Sequence, residues 1–306
     1  MSDPAIRYVH GKEIDRTKWD RCIENAPNGL IYSYSFYLDQ MAKNWDGLVL
    51  NDYEAVMPLT WNNKYGIRYL YQPFLTAQLG VFGQGLTGKT IHDFIEAIPN
   101  SFRLVEIPLN YGNTDGIPAG LSRSRKNYTL LLGKPYEELY SGNNENTRRN
   151  IKKAAQTGCT ATKNIPVENV IDLAVQHMKS YSRESAENLE NFRKLYQQLD
   201  EKKMTAVYGI ESAEKTLLAS CIFFFSHNRA YYILVGNHPS SRATGASHAL
   251  IDTFIKDHAG KNILLDFEGS DIPTLASFYS GFGAMNEPYP FLKINRLPFY
   301  MKWMKK

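Results

Sequence analysis

Residues 83–90 read GQGLTGKT. This is the GxxxxGK(S/T) spacing, in which glycines let backbone N–H groups surround phosphates while a lysine (Lys89) and a hydroxyl (Thr90) reach the terminal phosphate and its Mg²⁺. Alone, the string suggests a nucleotide hydrolase, with NILLDFE (262–268) as its acidic metal-binding strand. A second Gly-containing stretch, RATGAS (242–247), leads into a run with Leu250, Ile251, Phe254 and Ile255 on one helical face. A helix entry of this kind can hold a pyrophosphate on its N–H groups and dipole. Asp266 and Glu268 alternate along one apolar run, which would turn both carboxylates to the same side. Glu268 is the better base of the two, being nearer the C-terminal end where α/β folds gather ligands. His238 and His248 flank RATGAS, and because an ordinary imidazole changes charge near neutrality both are candidates for proton transfer. Arg148, Arg149, Lys152 and Lys153 fall at spacings that pair Arg148 with Lys152 and Arg149 with Lys153 on a helix surface, exposed or in contact with an anionic substrate.

Apolar periodicity supplies the elements that must position these groups. Val167, Val170, Ile171, Ala174, Met178 and Tyr181, then Leu189, Phe192, Leu195 and Leu199, mark two amphipathic helices. Three strands follow without a helix between them, at 204–210, 216–226 and 229–235, an antiparallel meander. Next come a helix from about Ser247 to His258, a strand at 262–268, a short helix from Pro273 and a strand at 291–295. The meander leaves no room for the parallel crossovers of a P-loop fold, so the nucleotide hydrolase becomes a remote alternative. The first half is less legible, with strands near 53–60 and 67–71, a helix at 91–98 and a strand at 101–109. TGKTIHDFIEAIPNSFRLVEIP and TGASHALIDTFIKDHAGKNILLDFEG both run from Thr-Gly through a helix to an acid-bearing strand (Glu106, Glu268), a faint internal repeat. At 306 residues the chain is expected to form two domains, 1–135 and 136–306, with the boundary inside SRSRKNYTLLLGKPYEEL.

The remaining features exclude more than they assert. With 43% hydrophobic and 22% charged residues the chain can build cores throughout, and a net charge of +4 requires no DNA partner. Cys22, Cys159 and Cys221 have neither disulfide nor metal-site spacing, so no metal is expected. No secretory signal and no apolar run near ~18 residues is present, which points to a cytoplasmic protein.

The element order and motifs resemble the GNAT superfamily of acyltransferases, and more closely its tandem-domain branch, the Fem-type aminoacyl transferases and FemAB-like acetyltransferases. RATGAS resembles the (Q/R)xxGx(G/A) loop, with Arg242 and Gly245 in place and Ser247 departing from the last small residue. NTRRNIKKAAQTG (146–158) resembles the basic helix and Gly turn that open the second Fem-like domain. DFEGSDIPTLASFYSGFGA (266–284) resembles the DFxG and FKxxFG segments, with Tyr279 where Fem-type enzymes carry lysine. The resemblance implies an α/β (α+β) fold of two GNAT-like domains, each a mixed, largely antiparallel sheet flanked by helices. The first would be degenerate and acceptor-facing, the second donor-binding and catalytic, with the acceptor between them.

The implied activity is transfer of an acyl group to an amine from acyl-CoA or acetyl-CoA, a co-substrate with no tightly bound cofactor beside it. The donor would lie on Val235, Gly236, Asn237, Arg242, Thr244, Gly245, Ala246 and Ser247. Glu268 or Asp266 would serve as base and Tyr279 as proton donor to the leaving thiolate. The acceptor, a small-molecule amine or a cell-envelope precursor, would meet Tyr71, Gln72, Gln78, Arg148, Arg149 and Lys152. An aminoacyl-tRNA donor acting on a cell-wall precursor is the alternative, disfavoured by Tyr279 and by the lack of a long paired-helix arm. A catalytically inactive tandem domain used for binding is another.

Overall fold

The computed structural model describes residues 5–178 and 186–298. Tyr181, the side chain of Met178 and the basic tail 302–306 lie outside the described residues. The chain divides into two units, one running to Arg125 and resuming at Pro288, the other spanning Lys126 to Glu287.

The first unit contains β1 (Ile6–Val9), α1 (Arg16–Asn25), α2 (Ser35–Met41), β2 (Trp45–Leu50), β3 (Ala55–Lys64), β4 (Ile67–Leu70), β5 (Phe82–Gly83), α3 (Gly88–Glu96), β6 (Phe102–Pro108) and β7 (Ser122–Arg125). The second contains β8 (Tyr128–Leu131), α4 (Tyr136–Ser141), α5 (Glu145–Gln156), β9 (Thr160–Lys163), α6 (Val167–Met178) and α7 (Ala186–Glu201). It continues with β10 (Thr205–Glu211), β11 (Leu217–Ser226), β12 (Arg229–Asn237), α8 (Ser241–Thr244), α9 (Ala246–His258), β13 (Leu264–Asp266), α10 (Pro273–Ser280) and β14 (Met285–Asn286). The last strand, β15 (Tyr289–Asn295), returns to the first unit.

The two sheets share one topology. Their orders are β1-β2-β3-β4-β6-β15-β7 and β9-β10-β11-β12-β13-β8-β14. Each has a single parallel pair along that path, β4 with β6 and β12 with β13, and antiparallel neighbours elsewhere. The faint repeat in the sequence is therefore a repeat of architecture. Each sheet also takes its sixth strand from outside its own consecutive run. β8 pairs with β13 and β14, and β15 pairs with β6 and β7. This corrects the expected division at 135/136, because β8 is part of the second sheet and the strand at 291–295 is part of the first. Periodicity marks a strand but carries no information about which edge will accept it.

Strict alternation along β11 buries both faces of the second sheet. Cys221 and Phe223 join a core with Leu250, Phe254, Phe267 and Tyr279, where the rings of Phe223 and Phe254 stack at 3.8 Å. Phe224 points to the opposite face and stacks on Phe192 of α7 at 5.9 Å. In β12, Gly236 sits under α6, where a Cβ would meet the Leu173 side chain at 2.8 Å and the Ala174 nitrogen at 2.9 Å. Its lack of a side chain thus serves helix packing.

Between α8 and α9 the chain turns at Gly245, with φ +82°. A Cβ there would also lie 2.3 Å from the Asn150 carbonyl oxygen of α5. Two independent constraints therefore require glycine. Gly245→Ala is expected to cost about 2–4 kcal/mol of stability, measured as a lowered urea midpoint with an unchanged slope.

Candidate functional site

The parallel pairing of β12 with β13 lasts for three residues: Arg229 opposite Leu264, Ala230 opposite Leu265, Tyr231 opposite Asp266. Beyond that point the strands part. β13 stays with β8, the Phe267 N–H donating to the Tyr128 carbonyl at 3.0 Å. β12 runs on to Asn237 beside β11, with an extra residue, Ile233, bulged between the pairs Phe223–Tyr232 and Ile222–Leu234. Bulges of this kind bend a strand and increase its twist. From Tyr232 onward the β13-facing edge of β12 has no strand partner among the described residues, so a short stretch of unpaired backbone faces the gap.

The helix entry at RATGAS follows directly. Gly245 donates to Ser241 O, and His248 and Ala249 donate to Gly245 O, so Ala246 and Ser247 open the first turn of α9, whose N–H groups have no partner within that helix. The Ser247 hydroxyl donates to Asn237 Oδ1 at 2.6 Å, tying the end of β12 to the first turn of α9. Val235, Gly236, Asn237, Gly245, Ala246 and Ser247 are thus brought together. Arg242 is exposed, and the Thr244 hydroxyl turns back to Ser240 and Ser241 O. His238 Nδ1 accepts from Ser240 N.

On the other side of the gap the backbone leaves the strand in two left-handed residues, Glu268 (φ +65°) and Gly269 (φ +85°). The strand ends at Asp266, so the expected alternation of two carboxylates does not occur. Asp266 is 2% exposed and receives Arg229 Nη1 on Oδ2 at 2.8 Å and the Glu268 N–H on Oδ1 at 2.9 Å. As a base Asp266 is therefore corrected, since both its oxygens are committed inside the core. Glu268 is half-buried.

Tyr279 stacks on Phe267 at 4.6 Å and meets Tyr232 edge-on at 6.4 Å. Its hydroxyl takes no protein hydrogen-bond partner among the described residues. Burial first, then the fields of Cys221 and Glu268, raise its proton affinity well above that of ordinary tyrosine. Burial, reinforced by Glu268, does the same to the thiol of Cys221. Glu268, Tyr279 and Cys221 therefore lie within electrostatic reach of one another, with Tyr279 neutral and able to donate. Cys221 and Tyr232 lie in apolar runs that give no sign of a site. Only the arginine opening an otherwise apolar strand, RAYYILVG, signalled a buried acid.

The remaining candidates are used locally. Tyr71 Oη accepts from the Lys43 N–H, Gln72 donates to Thr76 O, and buried Gln78 accepts from the Tyr111 N–H at 2.9 Å. Each of the three side chains thus has a hydrogen-bond partner within the first unit. On α5, Arg148 donates to Ser141 O and Arg149 to Asn146 Oδ1, while Lys152 and Lys153 are exposed with no carboxylate partner among the described residues. In the first unit GQGLTGKT is an ordinary helix start. Thr87 caps Thr90 N, Lys89 pairs with Asp93 at 2.6 Å, and the preceding β5 is antiparallel to β3. The counterpart of the gap is closed there, because Leu79 bridges Leu109 and donates to Pro108 O at 3.0 Å. Asn28, Asn110 and Asn113 all donate to Val81 O and hold that closure.

No family model matches the chain, and no curated protein matches it by sequence. Among solved structures, that of FemX is 11% identical and covers 98% of this chain and 100% of its own, with a TM-score of 0.69. The C-terminal domain assigned to a lysylphosphatidylglycerol synthetase of Agrobacterium fabrum is 10% identical, covering 92% and 91% at 0.56. L-PGS from Bacillus licheniformis is 9% identical, covering 85% and 87% at 0.52. The chain has the fold of FemX. Among the described residues no helix is long and apolar enough to cross a membrane.

Two outcomes follow from local geometry. Glycine accepts φ +65° without the cost borne by an L side chain, so Glu268→Gly is expected to raise stability by about 0.5–1 kcal/mol, read as a higher melting temperature. His248, against Phe278 at 4.7 Å, has its pKa lowered by burial to about 4. The unfolded chain then binds the extra proton between pH 6.5 and about 4, so stability falls as pH falls through that window. His248→Phe should flatten that part of a melting-temperature profile.

Proposed function

We propose that the chain is an N-acyltransferase, moving an acyl group from an acyl-CoA or acetyl-CoA thioester to an amine. The observation that carries the reading is the parting of β12 from β13 directly ahead of the α9 entry, with Glu268 and a neutral Tyr279 beside the gap. The donor's pyrophosphate would take the Ala246 and Ser247 N–H groups. Its amide-bearing arm would pair with the open edge of β12, as an extended ligand adds to a sheet edge, and N–H groups of that edge would hold the oxyanion.

Glu268 takes a proton from the amine, whose nitrogen attacks the thioester carbonyl carbon. The tetrahedral intermediate then expels the thiolate as the C–S bond breaks. Tyr279 hydrogen-bonds that thiolate, and the proton taken from the amine completes the thiol. Because its proton affinity is raised, Tyr279 remains a donor throughout and need not give up its proton fully. The acceptor class, a small-molecule amine or a cell-envelope precursor, rests on the likeness to FemX alone.

A second reading, an aminoacyl-tRNA donor, is favoured by the extent of that likeness together with the exposed cations of α5. Steeply salt-dependent tRNA binding would support it. For the first reading, titration calorimetry should show CoA and acetyl-CoA binding, unchanged in Lys89→Ala. Tyr279→Phe should lower kcat with an amine panel about 10²-fold while leaving CoA affinity within about twofold. No CoA binding at millimolar ligand would overturn it.

A further inference from the structure

We propose that Arg229 and Asp266 are positioning residues that hold the Glu268 backbone in its left-handed turn and thereby aim its carboxylate at the gap. The inference rests on Glu268 being the base. A non-glycine residue in this conformation persists only where its surroundings over-determine it, and Glu268 lies just past the end of β13. Its N–H is held by Asp266 Oδ1 at 2.9 Å. Asp266 cannot turn away, because its other oxygen is gripped by Arg229 at 2.8 Å with both side chains buried.

The guanidinium is fixed in turn. Glu287 accepts Nη1 at 2.9 Å and Nη2 at 2.8 Å in a bidentate pair, and its own N–H donates to Asn127 O at 2.8 Å. Planar two-point pairing of this kind sets orientation as well as distance. A rigid line therefore runs from Glu287, beside β14, through Arg229 on β12 and Asp266 on β13 to Glu268. It lies at the closed end of the parallel pair and ends where the strands part.

The test combines amide hydrogen exchange with steady-state kinetics. In the wild-type protein the Glu268 amide should exchange at least about 100-fold slower than an unstructured peptide, whereas unprotected exchange there would overturn the proposal without any variant. In Asp266→Asn the Glu268 amide should exchange at least about tenfold faster while Leu265 is unchanged. Its kcat should fall about tenfold or more with KM for the amine within about twofold. Arg229→Lys, which keeps the charge but loses the two-point grip, should fall between Asp266→Asn and wild type. Unchanged kcat and Glu268 exchange in a folded Asp266→Asn, or equal acceleration at Leu265, would overturn the inference. Should Asp266→Asn not fold, wild-type exchange and Arg229→Lys decide the matter. Full turnover in Glu268→Gln would instead remove Glu268 as base, leaving the exchange data to decide whether Asp266 fixes the turn.

Discussion

The second unit depends on one constraint, which is that two parallel strands are held together at one end and kept apart at the other. Arg229 and Asp266 form a buried ion pair at the closed end, where removing either partner would strand a charge in the core. Four residues after Arg229 the bulge at Ile233, and two residues after Asp266 the left-handed Glu268, send the strands in different directions. The gap is therefore a consequence of how the strands end. The helix entry at Gly245 can stand beside it because glycine lets α5 approach within contact of the turn.

The first unit shows what the same topology looks like with the gap closed. It has the same strand order and a parallel pair at the same position. After Leu70, however, the chain loops back so that Leu79 bridges Leu109, and three asparagine side chains converge on Val81 O. A buried polar network of this kind is stable only when its members are satisfied, and here it holds the chain across the edge that, among the described residues, has no strand partner in the second unit. The Lys89 ammonium, which would have faced a phosphate, instead pairs with Asp93 one turn along its own helix.

Much of the second half was legible because its strands alternate and its helices have clean stripes. The meander, the α9 helix and the RATGAS turn fell where periodicity put them, and the meander alone was enough to set the P-loop spacing aside. What could not be read depends on partners distant in sequence. β8 and β15 look like ordinary strands, and nothing local shows that each completes the sheet of the other run. Asp266 and Glu268 look equivalent by alternation, but Arg229, 37 residues away, takes one into the core. Gly236 is also a seat for α6, a packing role that its neighbours in sequence do not reveal. Tyr71, Gln72 and Gln78 were polar groups in apolar surroundings, and such groups are usually satisfied internally.

The central claim is that the open edge of β12 and the α9 entry form the donor site and that GQGLTGKT does not. Hydrogen exchange with and without saturating CoA tests it most directly. The account predicts slowed exchange over residues 232–237 and 245–248, with residues 83–90 unaffected. Protection at 83–90, or none at the β12 edge despite measurable binding, would contradict it.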